Sequence, residues 1–405
     1  MRFNNKVAEI QCIEVSTKNK ALLGRDGLKS LQISLVDCHQ IEEINFKTLY
    51  PEVFSSDNNT MIKGYTARLN IRSEVKSIFC KARRVTYALK CKVEEELNRL
   101  QRQGILIPVK HSEWASSTVN VPKSNESVRI CGDYKLTINQ NLNAELYPLP
   151  IPDDLFNTMR KSNLFTKLDL SFAYLKRELH RNDRKYLMIN THKGLYQYTR
   201  LNYGVSAAPS IFQQFMDSIL DGIPGVCCYI DDIIICGADL ESHNSRVKMV
   251  FEKLGKYNIK IKSEKCIFAT SEVGYLGHKI TKEGIKPLEE KIKAIKECLQ
   301  PQNATELRPW LGLVNYYGKF IPNLSSIITP LNALLSKKSK FLWTLMSECD
   351  AFNSSKQALS SEKCLCFYDP KLPIVVSTDA SPTGLGAVLS HIFPGNIKKT
   401  CHVRF

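Results

Sequence analysis

The sequence predicts an α+β chain built from several subdomains. Strand-like apolar runs alternate with amphipathic helix patterns along the chain, and no internal repeat or low-complexity block interrupts them. A length of 405 residues fits two or three domains at about 150 residues each. The 43% hydrophobic and 24% charged residues are typical of a globular protein.

The N-terminal third predicts short strands, a linker and one long helix. Residues 1–40 contain strand-like runs around a glycine turn, and 50–70 is polar and turn-rich, as linkers are. Apolar residues three and four apart in Lys90–Gln103 predict an amphipathic helix that ends before Gly104. Strand-like runs separated by turn residues follow.

The rest of the chain predicts alternating strands and helices. In order, these are a strand in LFTKLDL (164–170), a hairpin joined at Lys193-Gly194, a helix over Pro209–Leu220, an apolar run over Gly225–Gly237, a helix over His243–Tyr257, a Lys-rich helix at 289–299 and a Gly-broken strand at 381–390.

The composition excludes some functional classes and favours a polyanionic partner. No apolar run approaches the ~20 residues that span a bilayer, and the N-terminus lacks a signal-peptide pattern. The 14 cysteines are scattered without a C-x-x-C pair, which favours free thiols in a reducing, intracellular compartment, cytoplasmic or nuclear. A net charge of +16 favours nucleic acid as the partner.

Two adjacent acids interrupt the most apolar run of the chain. Asp231 and Asp232 stand among valine, cysteine, tyrosine and isoleucine residues. Because isolated buried carboxylates are costly, the strand must turn there and present both acids to something positive. A plain hairpin tip is the alternative interpretation of the same pattern.

A third acid, Asp169, lies in the apolar strand of KLDL. Three carboxylates on two neighbouring strands can hold hard divalent ions through oxygen ligands, as Mg²⁺ prefers. Two such ions about 4 Å apart suit an in-line phosphoryl transfer. The acids therefore predict a nucleotidyl-transfer site on a basic protein.

These segments resemble the polymerase of gypsy-type retrotransposons over roughly residues 41–370. Tyr229-Ile230-Asp231-Asp232 resembles the YxDD box of reverse transcriptases, and KLDL…AY (167–174) resembles the motif of their first aspartate. Further motifs stand in register: VRICGDYK (128–135), YPLP (147–150), KGLYQYTRL (193–201), GVSAAPSIFQQFMD (204–217), KCIF…YLGH (265–278) and LGLVNYYGKFIPN (311–323).

The resemblance implies a right-hand polymerase with fingers, a ferredoxin-like palm and a thumb, and an RNA-directed DNA polymerase activity. It implies Mg²⁺, with Mn²⁺ as the alternative, held by Asp169, Asp231, Asp232 and the Leu170 carbonyl. Its partners would be an RNA or DNA primer–template and deoxynucleoside triphosphates. The implied domains are fingers and palm at 41–255, thumb at 256–320 and connection at 321–370.

Other matched positions carry further implied roles. They are Lys265 as general acid for the pyrophosphate leaving group; Lys123, Arg129, Tyr174 and Tyr203 at the incoming nucleotide; Tyr275, Leu276, Gly277 and His278 at the primer strand; and Lys291, Lys293 and Lys296 along backbone phosphates. The alternative interpretations are a solvated strand face for Lys123 and Arg129, core packing for Tyr174 and an ordinary surface lysine for Lys265.

The two ends resemble pieces of neighbouring domains. ALLGRDGL in residues 1–40 resembles a retropepsin tail without the catalytic Asp-Thr/Ser-Gly, so we expect no protease activity. VVSTDASPTGLGAVLS in residues 371–405 resembles the start of a ribonuclease H domain, with Asp379 as its first acid. One carboxylate cannot assemble a two-metal site, so we expect no ribonuclease H activity.

Several positions depart from the family pattern. Asn202 stands where proline is usual, and Phe172 and Lys176-Arg177 follow the first catalytic aspartate in place of polar or uncharged residues. None removes a metal ligand, but they put the level of activity in question. The alternatives are a non-catalytic nucleic-acid-binding remnant and a fragment that does not fold.

Overall fold

The computed structural model describes residues 2–3, 6–7, 46–55, 61–123, 127–143, 147–170, 174–321, 323–336, 341, 343, 347–360, 364–381, 384–395 and 397–401. The protease-like segment expected at 1–40 lies almost entirely outside these residues. Within it, the strands β1 (Arg2–Phe3) and β2 (Lys6–Val7) pair antiparallel.

A four-stranded antiparallel sheet lies at the centre of the chain, in the order β11-β6-β10-β9. Three helices pack against it. The strands are β6 (Leu164–Asp169), β9 (Val226–Tyr229), β10 (Asp232–Gly237) and β11 (Ile267–Thr270), and the helices are α3 (Pro152–Thr158), α4 (Ala208–Leu220) and α5 (Leu240–Lys256). Asp239 caps α5 by accepting a hydrogen bond from the Ser242 N–H at 2.8 Å.

Two smaller antiparallel sheets precede or insert into this unit. One has the order β3-β8-β7, and the other pairs β4 with β5. Their strands are β3 (Leu106–Val109), β4 (Ser117–Pro122), β5 (Val128–Asp133), β7 (Met188–Thr191) and β8 (Gly194–Tyr198), and helix α2 (Tyr87–Arg102) packs against β5. The predicted hairpin at Lys193-Gly194 and the predicted helix before Gly104 are confirmed.

The downstream part combines a three-stranded meander, four helices and a final hairpin sheet. In chain order these are β12 (Glu272–Tyr275), β13 (His278–Thr281), β14 (Gly284–Pro287), α6 (Glu289–Glu297), α7 (Ala304–Tyr316), α8 (Leu324–Ala333), α9 (Ser347–Ser360), β15 (Ile374–Ser381), β16 (Gly384–Phe393) and β17 (Ile397–Thr400). Among the described residues, no helix has the length and apolar composition needed to cross a membrane.

The segment predicted as a linker at 50–70 is partly structured. Its first residues form the short helix α1 (Pro51–Phe54), whose Val53 is fully buried. Phe46 and Phe54 both pack edge-on against Phe251 of α5, with ring centroids 5.6 and 5.4 Å away. The linker prediction is wrong here because a four-residue helix is too short to show a helical period.

One hydrophobic core runs without a break from the central sheet to the C-terminal helices. It joins Phe156 of α3, Phe165 of β6, Ile280 of β13, Trp310 of α7 and Phe352 of α9. Trp310 and Phe352 touch directly, with ring centroids 4.6 Å apart. The downstream helices are thus packed onto the sheet that carries the acids.

Candidate active site

The strand register brings two of the predicted acids side by side. Asp232 lies opposite Tyr229 on β9 and opposite Asp169 on β6. Directly opposite residues of antiparallel strands point to the same face, with Cβ atoms about 5 Å apart. Asp231 lies in the two-residue turn between β9 and β10 and is exposed.

That turn is tight and strained. Ile230, a β-branched residue, adopts a left-handed conformation with φ of 56°. Strain of this kind costs on the order of 1–3 kcal/mol and persists only where neighbours fix the backbone. Here the Leu170 N–H donates to the Asp231 carbonyl at 2.9 Å, which ties the turn to the end of β6.

Gln213 of α4 holds the other side of the turn. Its carbonyl accepts a hydrogen bond from the Ile230 N–H at 2.7 Å, and its amide donates to the Cys228 carbonyl at 2.9 Å and to Asp217 at 2.8 Å. Tyr147 in turn donates to the other oxygen of Asp217. Gln213 is fully buried, and a glutamine on the apolar face of a predicted helix is a sequence signal by which its role could be recognised.

Two lysines from the segment before β11 lie close to the Asp169 carboxylate. The Lys262 ammonium lies 2.6 Å from Asp169 Oδ1 and 3.1 Å from the Leu170 carbonyl oxygen. The Lys265 ammonium is 4.0 Å from Asp169 Oδ2, with a side chain that is 59% exposed. Lys262 was not among the residues predicted to lie at this site.

Asp232 forms an ion pair with a lysine of the neighbouring strand β6. Its carboxylate lies 3.1 Å from the ammonium of Lys167. Burial raises the pKa of Asp232, Lys167 lowers it, and the charges of Asp231 and Asp169 raise it further. The three acids therefore share one electrostatic environment.

The donors at this site suit a hard divalent ion. Within the described part of the chain, no three Asp, Glu, His or Cys side chains have the spacing of a formed metal site. The Asp169 carboxylate and the Leu170 carbonyl nevertheless already share one cation, the Lys262 ammonium. Carboxylate and carbonyl oxygens are the ligand atoms that Mg²⁺ prefers.

Three of the four predicted nucleotide-binding residues, Arg129, Tyr203 and Tyr174, form one stack of contacting side chains. The Arg129 guanidinium lies 4.8 Å from the centroid of the Tyr203 ring. Tyr203 packs edge-on against Tyr174 at 5.3 Å, and Tyr174 packs on Phe212 of α4 at 5.6 Å. Burial raises the pKa of both tyrosines, and Asp231 raises it further, so both stay neutral next to the acids.

Lys123 follows β4 and is half-buried. Burial lowers its pKa; Glu96 opposes that shift, whereas Arg129, Arg99 and Lys262 add to it. Lys123 is therefore near enough to Lys262, the lysine beside Asp169, for the two charges to influence each other.

The four residues predicted at the primer strand divide into two pairs. Tyr275 and His278 are opposite residues of β12 and β13, and both side chains are buried. Leu276 and Gly277 form the turn between them, with φ of 45° and 71°. A bound strand could therefore reach the backbone of the turn, but not the buried side chains of Tyr275 and His278.

Two tyrosines at the end of α7 hold this turn. The Tyr316 phenol donates to the Leu276 carbonyl at 2.7 Å, and the Tyr317 phenol donates to the Gly277 carbonyl at 2.8 Å. His278 lies beneath the turn and donates from Nδ1 to the Leu276 carbonyl at 2.7 Å.

The remaining predicted residues lie on helix α6 and strand β15. Lys291, Lys293 and Lys296 are all exposed on α6, and Lys293 pairs with Glu297 at 3.9 Å. Asp379 lies in β15 opposite Gly386, and its side chain is outside the described residues.

Two of the departures from the family pattern, Asn202 and Arg177, make contacts inside the fold. The buried Asn202 amide donates to the Tyr134 hydroxyl at 3.1 Å. The buried Arg177 guanidinium lies 4.0 Å from the Tyr65 ring centroid and 4.6 Å from that of Phe215, and it donates to a backbone carbonyl of α4. Phe172 lies outside the described residues.

Family models match two parts of the chain. Residues 121–280 match the model of reverse transcriptase (RNA-dependent DNA polymerase). Residues 343–403 match an RNase H-like domain found in reverse transcriptase.

Sequence relatives include transposon polyproteins of Schizosaccharomyces pombe. The Tf2-3 and Tf2-7 polyproteins are each 36% identical to the chain over 300 residues, which is 74% of this chain and 22% of the polyprotein. The chain therefore spans about a fifth of the length of these curated relatives.

Solved structures of similar fold include the dRH form of the foamy viral protease-reverse transcriptase in complex with double-stranded DNA. It has a TM-score of 0.80 and 22% identity, and the match covers 97% of this chain and 69% of that chain. The complex of the foamy viral protein with an RNA/DNA hybrid has a TM-score of 0.78 and 23% identity, over 98% of this chain and 54% of that one. These likenesses confirm the predicted right-hand polymerase fold.

Proposed function

We propose that this chain, which belongs to the reverse transcriptase family of gypsy-type LTR retrotransposons, is an RNA-directed DNA polymerase. The observation that carries the proposal is the antiparallel register that sets Asp169 beside Asp232, with Asp231 at the adjoining turn. Two acids at the ends of apolar strands and a third in the adjoining turn lie where a nucleotidyl-transfer site needs carboxylates.

Asp169, Asp231, Asp232 and the Leu170 carbonyl would hold Mg²⁺ or Mn²⁺. When bound, such ions stabilise the negative charge that develops on the oxygens of an in-line phosphoryl transfer. The protein's own contribution is positioning, because Gln213 and the Leu170 N–H fix the turn that contains Asp231 and leads directly into Asp232.

The stack of Arg129, Tyr203 and Tyr174 would bind the incoming deoxynucleotide. Arg129 and Lys123 would contact the triphosphate through charge-assisted hydrogen bonds. Tyr174 would lie under the sugar and exclude a 2′-hydroxyl. Lys265, beside Asp169, would donate the proton that the pyrophosphate leaving group takes up.

An RNA or DNA primer–template would lie along the basic surface that the net charge of +16 supplies. The Leu276-Gly277 turn would support the primer strand, and Lys291, Lys293 and Lys296 of α6 would contact phosphates. The solved neighbours hold double-stranded DNA or an RNA/DNA hybrid, which supports this choice of partner.

The fingers and palm would lie at 41–255, the thumb at 256–320 and the connection at 321–370. We expect neither protease nor ribonuclease H activity from this chain. Metal-dependent cleavage of an RNA·DNA hybrid that Asp379→Asn abolishes would contradict the expected lack of ribonuclease H activity.

Primer extension on oligo(dT)·poly(A) with Mg²⁺ or Mn²⁺ tests the proposal. The chain is compared with its Asp231→Asn/Asp232→Asn variant, and binding of both to the primer–template is measured in parallel. We expect extension that the double substitution abolishes while binding persists. Salt-sensitive binding without extension by the unsubstituted chain would instead identify a non-catalytic nucleic-acid-binding protein.

A further inference from the structure

The Lys262 ammonium contacts two oxygens that would bind a metal ion in the proposed function. They are Asp169 Oδ1, at 2.6 Å, and the Leu170 carbonyl oxygen, at 3.1 Å. We propose that Lys262 is an internal counter-ion that holds these oxygens in the metal-free protein and gives them up when a divalent ion binds. This inference rests on the proposed function, because it presupposes that Asp169 is a metal ligand.

The backbone of Lys262 is fixed next to the acid. Ile261 forms an antiparallel bridge with Leu170, and the Lys262 N–H donates to the Asp169 carbonyl at 2.8 Å. The Lys262 carbonyl accepts hydrogen bonds from the Lys265 N–H at 2.9 Å and from the Cys266 thiol at 3.2 Å. Because the backbone is anchored on both sides, release of the acid requires only rotation of the lysine side chain.

The lysine side chain has room to make this movement. It is 26% exposed, whereas the Asp169 side chain that it covers is 18% exposed. Rotation toward solvent would therefore uncover the carboxylate without disturbing the core.

An ammonium group and a divalent ion compete for these oxygens. Mg²⁺ binds oxygen at about 2.0–2.1 Å and demands near-ideal geometry. A second cation on the same carboxylate and carbonyl oxygens would repel it at short range, in a partly buried site where screening is weak. Lys265 lies 4.0 Å from the other oxygen of Asp169 and Lys167 pairs with Asp232, so neither contacts the same pair of oxygens.

Removing the charge of Lys262 should therefore strengthen metal binding. Mn²⁺ is titrated into the full chain without nucleic acid, and free Mn²⁺ is measured by electron paramagnetic resonance. Relative to the unsubstituted chain, we expect binding on the order of tenfold tighter for Lys262→Gln. Lys262→Arg keeps the charge and should bind as weakly as the unsubstituted chain.

Two further variants serve as controls. Lys248→Gln makes the same charge change at an exposed position of α5 and should leave the Mn²⁺ affinity unchanged. Asp169→Asn should remove the site. The unsubstituted chain and Lys262→Gln could both show an Asp169-dependent Mn²⁺ site of equal affinity. That result would overturn this inference and leave the proposed function standing. Absence of any Asp169-dependent Mn²⁺ binding overturns both.

A second measurement uses the unsubstituted chain and does not depend on how Lys262→Gln folds. Amine acetylation is followed at each lysine by mass spectrometry, with and without saturating Mn²⁺. We expect Mn²⁺ to raise the acetylation rate of Lys262 severalfold and to leave that of Lys248 unchanged. A Lys262 rate that Mn²⁺ leaves unchanged or lowers would show that the ammonium does not leave Asp169, and would overturn the inference.

Discussion

The side-chain carbonyl of Gln213 accepts a hydrogen bond from the main-chain N–H of Ile230, 2.7 Å away. Ile230 is the strained residue of the turn that carries Asp231 and Asp232, so this bond links a buried helix position to the two acids. The amide group of Gln213 also satisfies the Cys228 carbonyl on the strand that leads into the turn.

Gln213→Leu should therefore damage both stability and the proposed activity. It leaves the Ile230 N–H and the Cys228 carbonyl without their partner, which costs about 2 kcal/mol in the free energy of unfolding. We expect the rate of primer extension per folded molecule to fall about tenfold or more, because the acids lose their positions. Gln214→Leu, at the neighbouring exposed position, is the matched control for chemical denaturation and extension. Equal effects of both variants would contradict this role.

Arg129→Gln should weaken nucleotide use more than nucleic-acid binding. The guanidinium stacks on Tyr203 and would contact the triphosphate, an interaction worth roughly 1.5–3 kcal/mol. Steady-state extension should show a KM for deoxynucleotide raised about tenfold or more, with the Kd for primer–template nearly constant. Lys110→Gln changes the charge equally at an exposed position after β3 and should leave KM unchanged. A rise in Kd without a rise in KM would place Arg129 on the template instead.

The double variant Tyr316→Phe/Tyr317→Phe should loosen the Leu276-Gly277 turn. Two phenol donors are lost while the rings stay in place, at a cost of about 1 kcal/mol for each hydrogen bond. We expect the Kd for primer–template to rise severalfold and shorter products in single-encounter extension. Tyr87→Phe removes the phenol of a 93% exposed tyrosine and serves as the control. An unchanged Kd and product length would separate this turn from primer binding.

Acid should destabilise the central sheet through His243. This buried histidine contacts the Thr166 hydroxyl at 2.9 Å, and burial lowers its pKa, assisted by Arg246 and opposed by Asn244. Because the unfolded chain then binds the proton more readily, stability falls as the pH drops below about 6.5 toward the lower folded pKa. The Tm of the unsubstituted chain should fall more steeply between pH 7.5 and pH 5.5 than that of His243→Gln. Parallel Tm profiles would contradict this assignment.

The sequence predicted the parts of the site that show a local pattern. Asp169, Asp231 and Asp232 stand out because they interrupt apolar runs of the sequence. The two-residue turn sets the register of β9 with β10, whereas the pairing of Asp169 with Asp232 joins strands that are remote in the sequence. Helices α4 and α5 were visible from their apolar spacing.

Other features depend on contacts between remote segments and have no local signature. Lys262 appears in the sequence as an ordinary lysine of a polar segment, and only the bridge between Ile261 and Leu170 brings it to Asp169. His278 appears available for binding in the sequence, yet it is buried among the rings of Phe156, Tyr316, Tyr317 and Phe320.

The unbroken core between the central sheet and the downstream helices limits how the molecule can move. A rotation of α7 and α9 away from β6 would pull Trp310 and Phe352 out of contact with the apolar layer that also contains Phe165. At about 25 cal/mol for each Å² of apolar surface exposed, such a rotation is expensive, unlike the pivoting of domains joined by a small polar interface. Side-chain packing therefore fixes the position of the Leu276-Gly277 turn relative to the acids, so the two would move together as one rigid unit rather than about a hinge.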